Sequence, residues 1–241
     1  MEYLAFPNES AEYRTARNAL LHAEMDLRRQ LEAVAAMRRA LPPGGAVRQD
    51  YVFDRIGAHG RPEQIHLSGL FEGRPSLILY SYMYGPERDV PCNGCTHLLD
   101  AIDGAARHAS QRVPFYVVAR SSLARLEAWG RERGWRFLKF LSAENNSFTS
   151  DYFANTAGLP GAKRIDQGYE PGENWDQPMF TVFRKHGDTI RHFWSTELVY
   201  APEEPGQNHR AEDLVDPLWN LLDMTPEGRG DWFPQVWYDR G

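Results

Sequence analysis

The chain has 241 residues, 42% hydrophobic and 25% charged, with a formal net charge of −6 and two cysteines. That hydrophobic fraction is ordinary for a globular core, and the acidic balance argues against nucleic acid or an anionic membrane as a partner. No stretch approaches the roughly 20 apolar residues that span a bilayer, and so few cysteines exclude a disulfide-stapled secreted scaffold. The start Met1–Pro7 lacks the basic and apolar regions of a signal peptide, so a cytoplasmic protein with no membrane partner is expected.

From Ser10 to Leu41 there is neither proline nor glycine. Tyr13, Leu20, Leu27, Val34 and Leu41 recur every seven positions, which places one apolar seam along a helix whose other faces carry arginine and glutamate. Asn8 or Ser10 caps its start and Pro42-Pro43-Gly44-Gly45 ends it. Such a seam serves either packing across the chain's own domain or a homodimer through the helix.

Strand and helix then alternate. Tyr51–Asp54 and Gln64–Leu67 read as a short hairpin, and Leu77–Tyr82 as a buried strand. A helix over Thr96–Ser110 follows, burying Leu98, Leu99 and Ile102. Val113–Ala119 is the next strand, with its proline near the start where a missing donor is tolerated. Ser121 or Ser122 caps a helix carrying Leu123, Leu126 and Trp129, and Phe137–Leu141 is a third strand. A β-α-β-α-β run implies parallel strands with right-handed crossovers. Residues 142–174 are broken by Asn145-Asn146-Ser147, Gly158-Leu159-Pro160-Gly161 and Tyr169-Glu170-Pro171-Gly172. Pro178–Phe183 and Thr189–Trp194, joined by His186-Gly187-Asp188, form a hairpin. A last helix is expected over Ala211–Leu222, burying Leu214, Leu218, Trp219 and Leu222. The tail, with Trp232, Phe233, Trp237 and Tyr238, is too aromatic to be left unpacked. The domains read as a long-helix extension over 1–46, a central domain over 47–225 and an aromatic tail over 226–241.

Both cysteines lie in Cys92-Asn93-Gly94-Cys95, between a strand and a helix. Dithiol redox chemistry uses this arrangement. At a helix start the unpaired N–H groups and the positive end of the dipole favour an anion, so Cys92 ionises readily and attacks first. Cys95, one turn on, closes an intramolecular disulfide and releases the bound partner.

This order of elements resembles the thioredoxin fold, an α/β mixed sheet flanked by helices, here with a long N-terminal helix. More closely, the chain resembles a bacterial family of predicted dithiol–disulfide oxidoreductases, long catalogued as a domain of unknown function. The likeness rests on Arg38-Arg39-Ala40-Leu41-Pro42-Pro43-Gly44-Gly45, Asp50-Tyr51-Val52-Phe53, Leu67-Ser68-Gly69-Leu70-Phe71, Gly94-Cys95, Val117–Leu123 and Leu221–Pro226. It implies Cys92 as nucleophile and Cys95 as resolving cysteine. It further implies that Pro178 is the proline that, in the cis form, starts the antiparallel strand beside the disulfide. Gln177 before it would offer its carbonyl and N–H to a substrate backbone.

Arg120, at a strand end, and Tyr82 join Gln177 and Pro178 as candidate substrate-binding residues. Against this, Arg120 also reads as an ion-pair partner, and Tyr80, Tyr82, Tyr84 and Trp175 as either core or a groove around the disulfide. His97 reads as a surface helix residue. Several features depart from thioredoxin. Pro91 stands where thioredoxin has tryptophan, Asn93-Gly94 separates the cysteines, and no carboxylate in the preceding strand matches the buried acid that assists the resolving thiol. Asp89 stands where a peroxiredoxin has threonine, which weakens a thiol-peroxidase reading. Structural zinc would need two histidines beside the cysteines, and none of His59, His66, His97, His108 or His186 shows the spacing of a finger. No metal or other cofactor is expected. The expected partners are a disulfide- or thiol-containing protein or small molecule and an external thiol reductant. The alternatives are a thioredoxin-fold interaction module with inert or zinc-bound cysteines, or a peroxiredoxin-like thiol peroxidase.

Overall fold

The computed structural model describes residues 4–238 except 162, 164–166, 169 and 171. The expected break at Tyr169 and Pro171 and the last three residues of the tail therefore lie outside the described residues. The chain divides into two compact units, Met1–Pro43 and Gly44–Gly241.

In the first unit, α1 spans Ala11–Arg39. Ser10 occupies the N-cap and its hydroxyl accepts the Tyr13 N–H at 3.1 Å, one of the donors a helix start leaves unpaired. Of the two predicted caps, Ser10 is the one that works. None of the helix residues is buried, and the heptad positions Tyr13, Leu20 and Leu27 are about half exposed (49, 50 and 60%).

In the second unit, β1 (Val52–Ile56) and β2 (Pro62–His66) form the expected hairpin. A 3₁₀ turn over Leu67–Phe71 leads to β3 (Ser76–Ser81), followed by α2 (Asn93–Ala109), β4 (Phe115–Ala119), α3 (Leu123–Arg133) and β5 (Phe140–Ser142). After a short helix α4 (Phe148–Asp151) come β6 (Met179–His186), β7 (Thr189–Ser195) and α5 (Pro217–Leu222). Among the described residues the strands make one seven-stranded sheet in the order β2-β1-β5-β4-β3-β6-β7. β3, β4 and β5 are parallel, with Leu79 opposite Tyr116. β6 runs antiparallel to β3, with Leu79 opposite Thr181, and β7 antiparallel to β6. This is a thioredoxin-like α/β fold: three parallel strands joined by helical crossovers, then an antiparallel hairpin docked on the first of them. None of the described helices is long and apolar enough to cross a membrane.

The alternation of side chains along β3 builds two cores. Tyr80, with Tyr82 just beyond the strand, points to one face and packs with Leu98 and Leu99 of α2, Leu126 and Trp129 of α3 and Phe180. Leu77 and Leu79 point to the other and pack with Phe53, Leu70, Val118, Leu141, Phe148 and Phe183. Each such side chain contributes about 1.5–3 kcal/mol on leaving water.

Several boundaries and caps differ from the sequence reading, α2 for one starting at Asn93 and not at Thr96. β5 starts three residues later than predicted, because the buried Asp103 carboxylate accepts the N–H groups of Arg136, Phe137 and Leu138 at 2.8–3.1 Å. Those donors are unavailable to a sheet ladder. Ser122 sits at the N-cap of α3 without a side-chain bond, while the Ser121 hydroxyl donates to the Tyr84 carbonyl. The last helix begins at Pro217 and not at Ala211. Proline suits the first helical position but not an interior one, and Asp216 caps that start by accepting the Leu218 N–H at 3.0 Å. Leu214 is consequently 62% exposed, and Leu218, Trp219 and Leu222 are only half-buried.

Candidate active site

β3 delivers the chain to the site and α2 receives it. Beyond Ser81, the Tyr82 N–H still bonds the Val118 carbonyl at 2.8 Å, and the Cys92 N–H bonds the Met83 carbonyl at 3.1 Å. The intervening loop is held by Arg125, whose guanidinium donates to the carbonyls of Gly85 (3.3 Å), Asp89 (3.2 Å) and Arg88 and lies 4.2 Å over the Tyr84 ring. No motif marked Arg125 in the sequence; its role appears only once the loop folds back on α3.

Cys92 is the N-cap residue of α2. Its carbonyl accepts the Thr96 N–H at 2.9 Å and the Thr96 hydroxyl at 2.8 Å. Its side chain is half-buried, whereas Cys95 is 2% exposed, and both are free thiols. The Cys92 pKa is lowered to about 6, chiefly by the facing Cys95 thiol. Burial opposes this, and the backbone N–H groups of Cys95 and Gly94 and the charge of Arg88 reinforce it. The Cys95 thiol is pushed up, first by burial and then by Cys92. The two sulfurs thus differ in opposite senses, the half-exposed one shifted toward the thiolate and the enclosed one toward the thiol.

A carboxylate the sequence reading did not find completes the inner end. Glu212 has its Oε1 buried without a hydrogen-bond partner, and so does the Tyr80 hydroxyl. Glu212, Tyr80 and Cys95 lie close enough to shift one another's ionisation. Burial is the main cause that raises Glu212 to about 8, with the charges of Asp216 and Cys92 adding to it. The preceding strand indeed carries no acid. The carboxyl comes instead from the turn ahead of α5, and nothing in the acidic run Glu212-Asp213 distinguished it from a solvated face.

His97 is not a surface residue. It lies within α2, its side chain is 12% exposed, and its Nε2 lies 2.7 Å from Oδ2 of the buried Asp216. Its ring meets Trp219 edge-on, and Trp219 in turn packs on Phe233. Arg229 bridges Asp213 (2.5 Å) and Asp223 (2.7 Å). The segment from Asn208 to Phe233 and the dithiol thereby border a half-open cavity of about 410 Å³ lined by Cys92, Cys95, Pro178, Glu212, Trp219 and Phe233, among others.

Of the remaining predicted residues, Pro178 reaches this cavity, but its peptide bond is trans, since no described peptide bond is cis. The trans form is the lower-energy one for X–Pro, and here it leads straight into β6. The Gln177 N–H is not open to a substrate backbone, because it donates to the Ala154 carbonyl at 2.9 Å. Tyr82 is core, 2% exposed, with its hydroxyl 2.8 Å from Thr96 Oγ1; Tyr80 and Tyr84 are also buried, whereas Trp175 is 45% exposed. Arg120 does not line the cavity. It pairs with the buried Asp176 at 2.6 Å and with Glu87 at 3.1 Å. Among the described residues no group of three or more metal-ligating side chains is assembled.

Over residues 5–241 the sequence matches the family described as "Bacterial protein of unknown function (DUF899)". The chain belongs to this family. No curated protein matches it. Similar solved structures include peroxidoxin BcpB from Mycobacterium tuberculosis, at 13% identity over 73% of this chain and 94% of that one, with a TM-score of 0.42. The Plasmodium falciparum antioxidant protein, a 1-Cys peroxiredoxin, is similar at 9% identity over 76% and 98%, with a TM-score of 0.47. Plasmodium yoelii thioredoxin peroxidase I is similar at 15% identity over 82% and 99%, with a TM-score of 0.42. The family's own description states no activity.

Proposed function

We propose that this protein is a dithiol–disulfide oxidoreductase in which Cys92 attacks and Cys95 resolves. One observation carries the reading: two thiols one helical turn apart are driven to opposite ionisation states, the half-exposed one downward and the enclosed one upward. A nucleophile needs the thiolate at working pH, and a resolving thiol needs to stay protonated until the mixed disulfide forms.

In the reducing direction the Cys92 thiolate attacks one sulfur of a substrate disulfide. A Cys92–substrate bond forms, the substrate S–S bond breaks, and the departing thiolate takes a proton. Cys95 then loses its proton and attacks the Cys92 sulfur, releasing the second substrate thiol. Two electrons pass from the protein dithiol to the substrate. Glu212 is the group placed to take the Cys95 proton, because an acid that ionises near 8 exchanges protons readily around neutral pH. An external thiol restores the dithiol.

The test is a redox titration in defined thiol–disulfide buffers, read by alkylation and intact mass. A reversible two-electron transition between dithiol and intramolecular disulfide is expected. Cys92→Ser should abolish exchange, and Cys95→Ser should accumulate a mixed disulfide. Thiols that never pair in any buffer would sink the reading in favour of an interaction module.

A further inference from the structure

We infer that the substrate of the dithiol is a low-molecular-weight disulfide without negative charge, bound in the cavity between Cys92 and the segment 208–233; this rests on the dithiol reading above.

Size is the first argument. Phe233 crosses the mouth so closely that a Cβ on Gly94, between the two cysteines, would lie 3.3 Å from its Cζ. Trp232 and Phe233 stand half exposed (48 and 56%) as an aromatic rim, and Trp219 backs them. The half-open space of about 410 Å³ falls in the range of small-molecule sites, roughly 300–1,000 Å³. A disulfide in a folded protein brings two backbone segments with it, and these would meet the rim before the sulfurs met. The backbone N–H that could have paired with such a segment is also occupied, since Gln177 donates it to the Ala154 carbonyl at 2.9 Å.

Charge is the second. The lining carries Asp213, Asp216 and Asp231, and Glu212, which holds its proton near neutral pH, against one guanidinium, Arg229. That guanidinium is committed between Asp213 and Asp223 and is 7% exposed. His209 is within 3.0 Å of Glu203. Arg88 faces Cys92 from outside the lining, where the thiolate balances it. A carboxylate on the substrate would therefore meet carboxylates with no uncommitted arginine or lysine among the described lining residues, whereas an ammonium or hydroxyl group would be accommodated. The aromatic wall takes the methylene arms.

The experiment is single-turnover oxidation of the reduced full chain, read by intact mass and intrinsic fluorescence. It uses cystamine, bis(2-hydroxyethyl) disulfide, dithiodiglycolate and insulin, each normalised to its rate with a free small thiol at the same pH. Each reaction turns one substrate disulfide into two thiols and the protein dithiol into its disulfide, so no co-reactant is needed. Cystamine and the hydroxyethyl compound are expected to react at least 10-fold faster than dithiodiglycolate, which matches cystamine in size and differs in charge. They should exceed insulin by more. In Trp232→Ala/Phe233→Ala, with the rim removed, the insulin-to-cystamine ratio should rise at least 10-fold. Insulin or dithiodiglycolate reacting as fast as cystamine overturns the inference and leaves the dithiol reading standing. If none of the four oxidises the pair, both fall.

Discussion

His97 Nε2 and Asp216 Oδ2 lie 2.7 Å apart, and this contact ties the helix that bears the dithiol to the segment that covers it. Asp216 is 2% exposed and uses its other oxygen to cap α5, so one buried carboxylate anchors both the roof and its last helix. Replacing His97 by alanine strands that oxygen, which should cost about 1–3 kcal/mol. The urea midpoint should fall, and iodoacetamide should alkylate Cys92 faster at fixed pH as the roof loosens. An unchanged alkylation rate would mean that the pair does not hold the roof.

The leading cause of the low Cys92 pKa is the Cys95 thiol. Alkylation of the wild type should therefore show a midpoint near pH 6. In Cys95→Ala the midpoint should move upward by about a pH unit or more, because a donor to the thiolate is lost. An unmoved midpoint in that variant would show that the helix amides alone set the value.

Glu212 links stability to pH. Its folded pKa, about 8, lies above its ordinary 4.5, so between those values the folded protein holds a proton the unfolded chain has released. Stability then falls as pH rises through that window, by up to a few kcal/mol at about 1.4 kcal/mol per unit. Cys92 acts in the opposite sense. Its folded value near 6 lies below the ordinary 9.0, so its contribution is full above pH 9 and is lost as pH falls toward 6. In a Cys92→Ser background, adding Glu212→Gln should flatten the fall in denaturant stability between pH 5 and pH 8, since glutamine has no proton to lose. The slope that remains in Cys92→Ser alone should still be negative, because burial and not Cys92 is the largest cause.

Arg120 separates a structural from a binding role. Desolvation pushes the Asp176 pKa up while Arg120 pulls it down, so removing the guanidinium leaves a buried carboxylate unpaired. Arg120→Ala should lose about 3–5 kcal/mol of stability while the Cys92 alkylation midpoint stays near 6. A variant of normal stability with slowed thiol exchange would return Arg120 to the substrate.

The elements were legible in the sequence wherever local chemistry decides them. Alternating and helical periodicity announced β3, α2, β4, α3 and the β6–β7 hairpin, and the spacing of Cys92 and Cys95 together with the start of α2 announced the dithiol. These depend on neighbours within a few residues, which a sequence displays directly. The order of those elements along the chain carried the resemblance to the thioredoxin fold. Tertiary structure alone decided which carboxyl sits beside Cys95, that Gln177 spends its N–H on Ala154, that Arg120 belongs to Asp176, and that His97 faces inward to Asp216. Each of these joins residues far apart in the chain, where desolvation and the pairing of buried polar groups choose the partner. No pattern within a short window carries that choice.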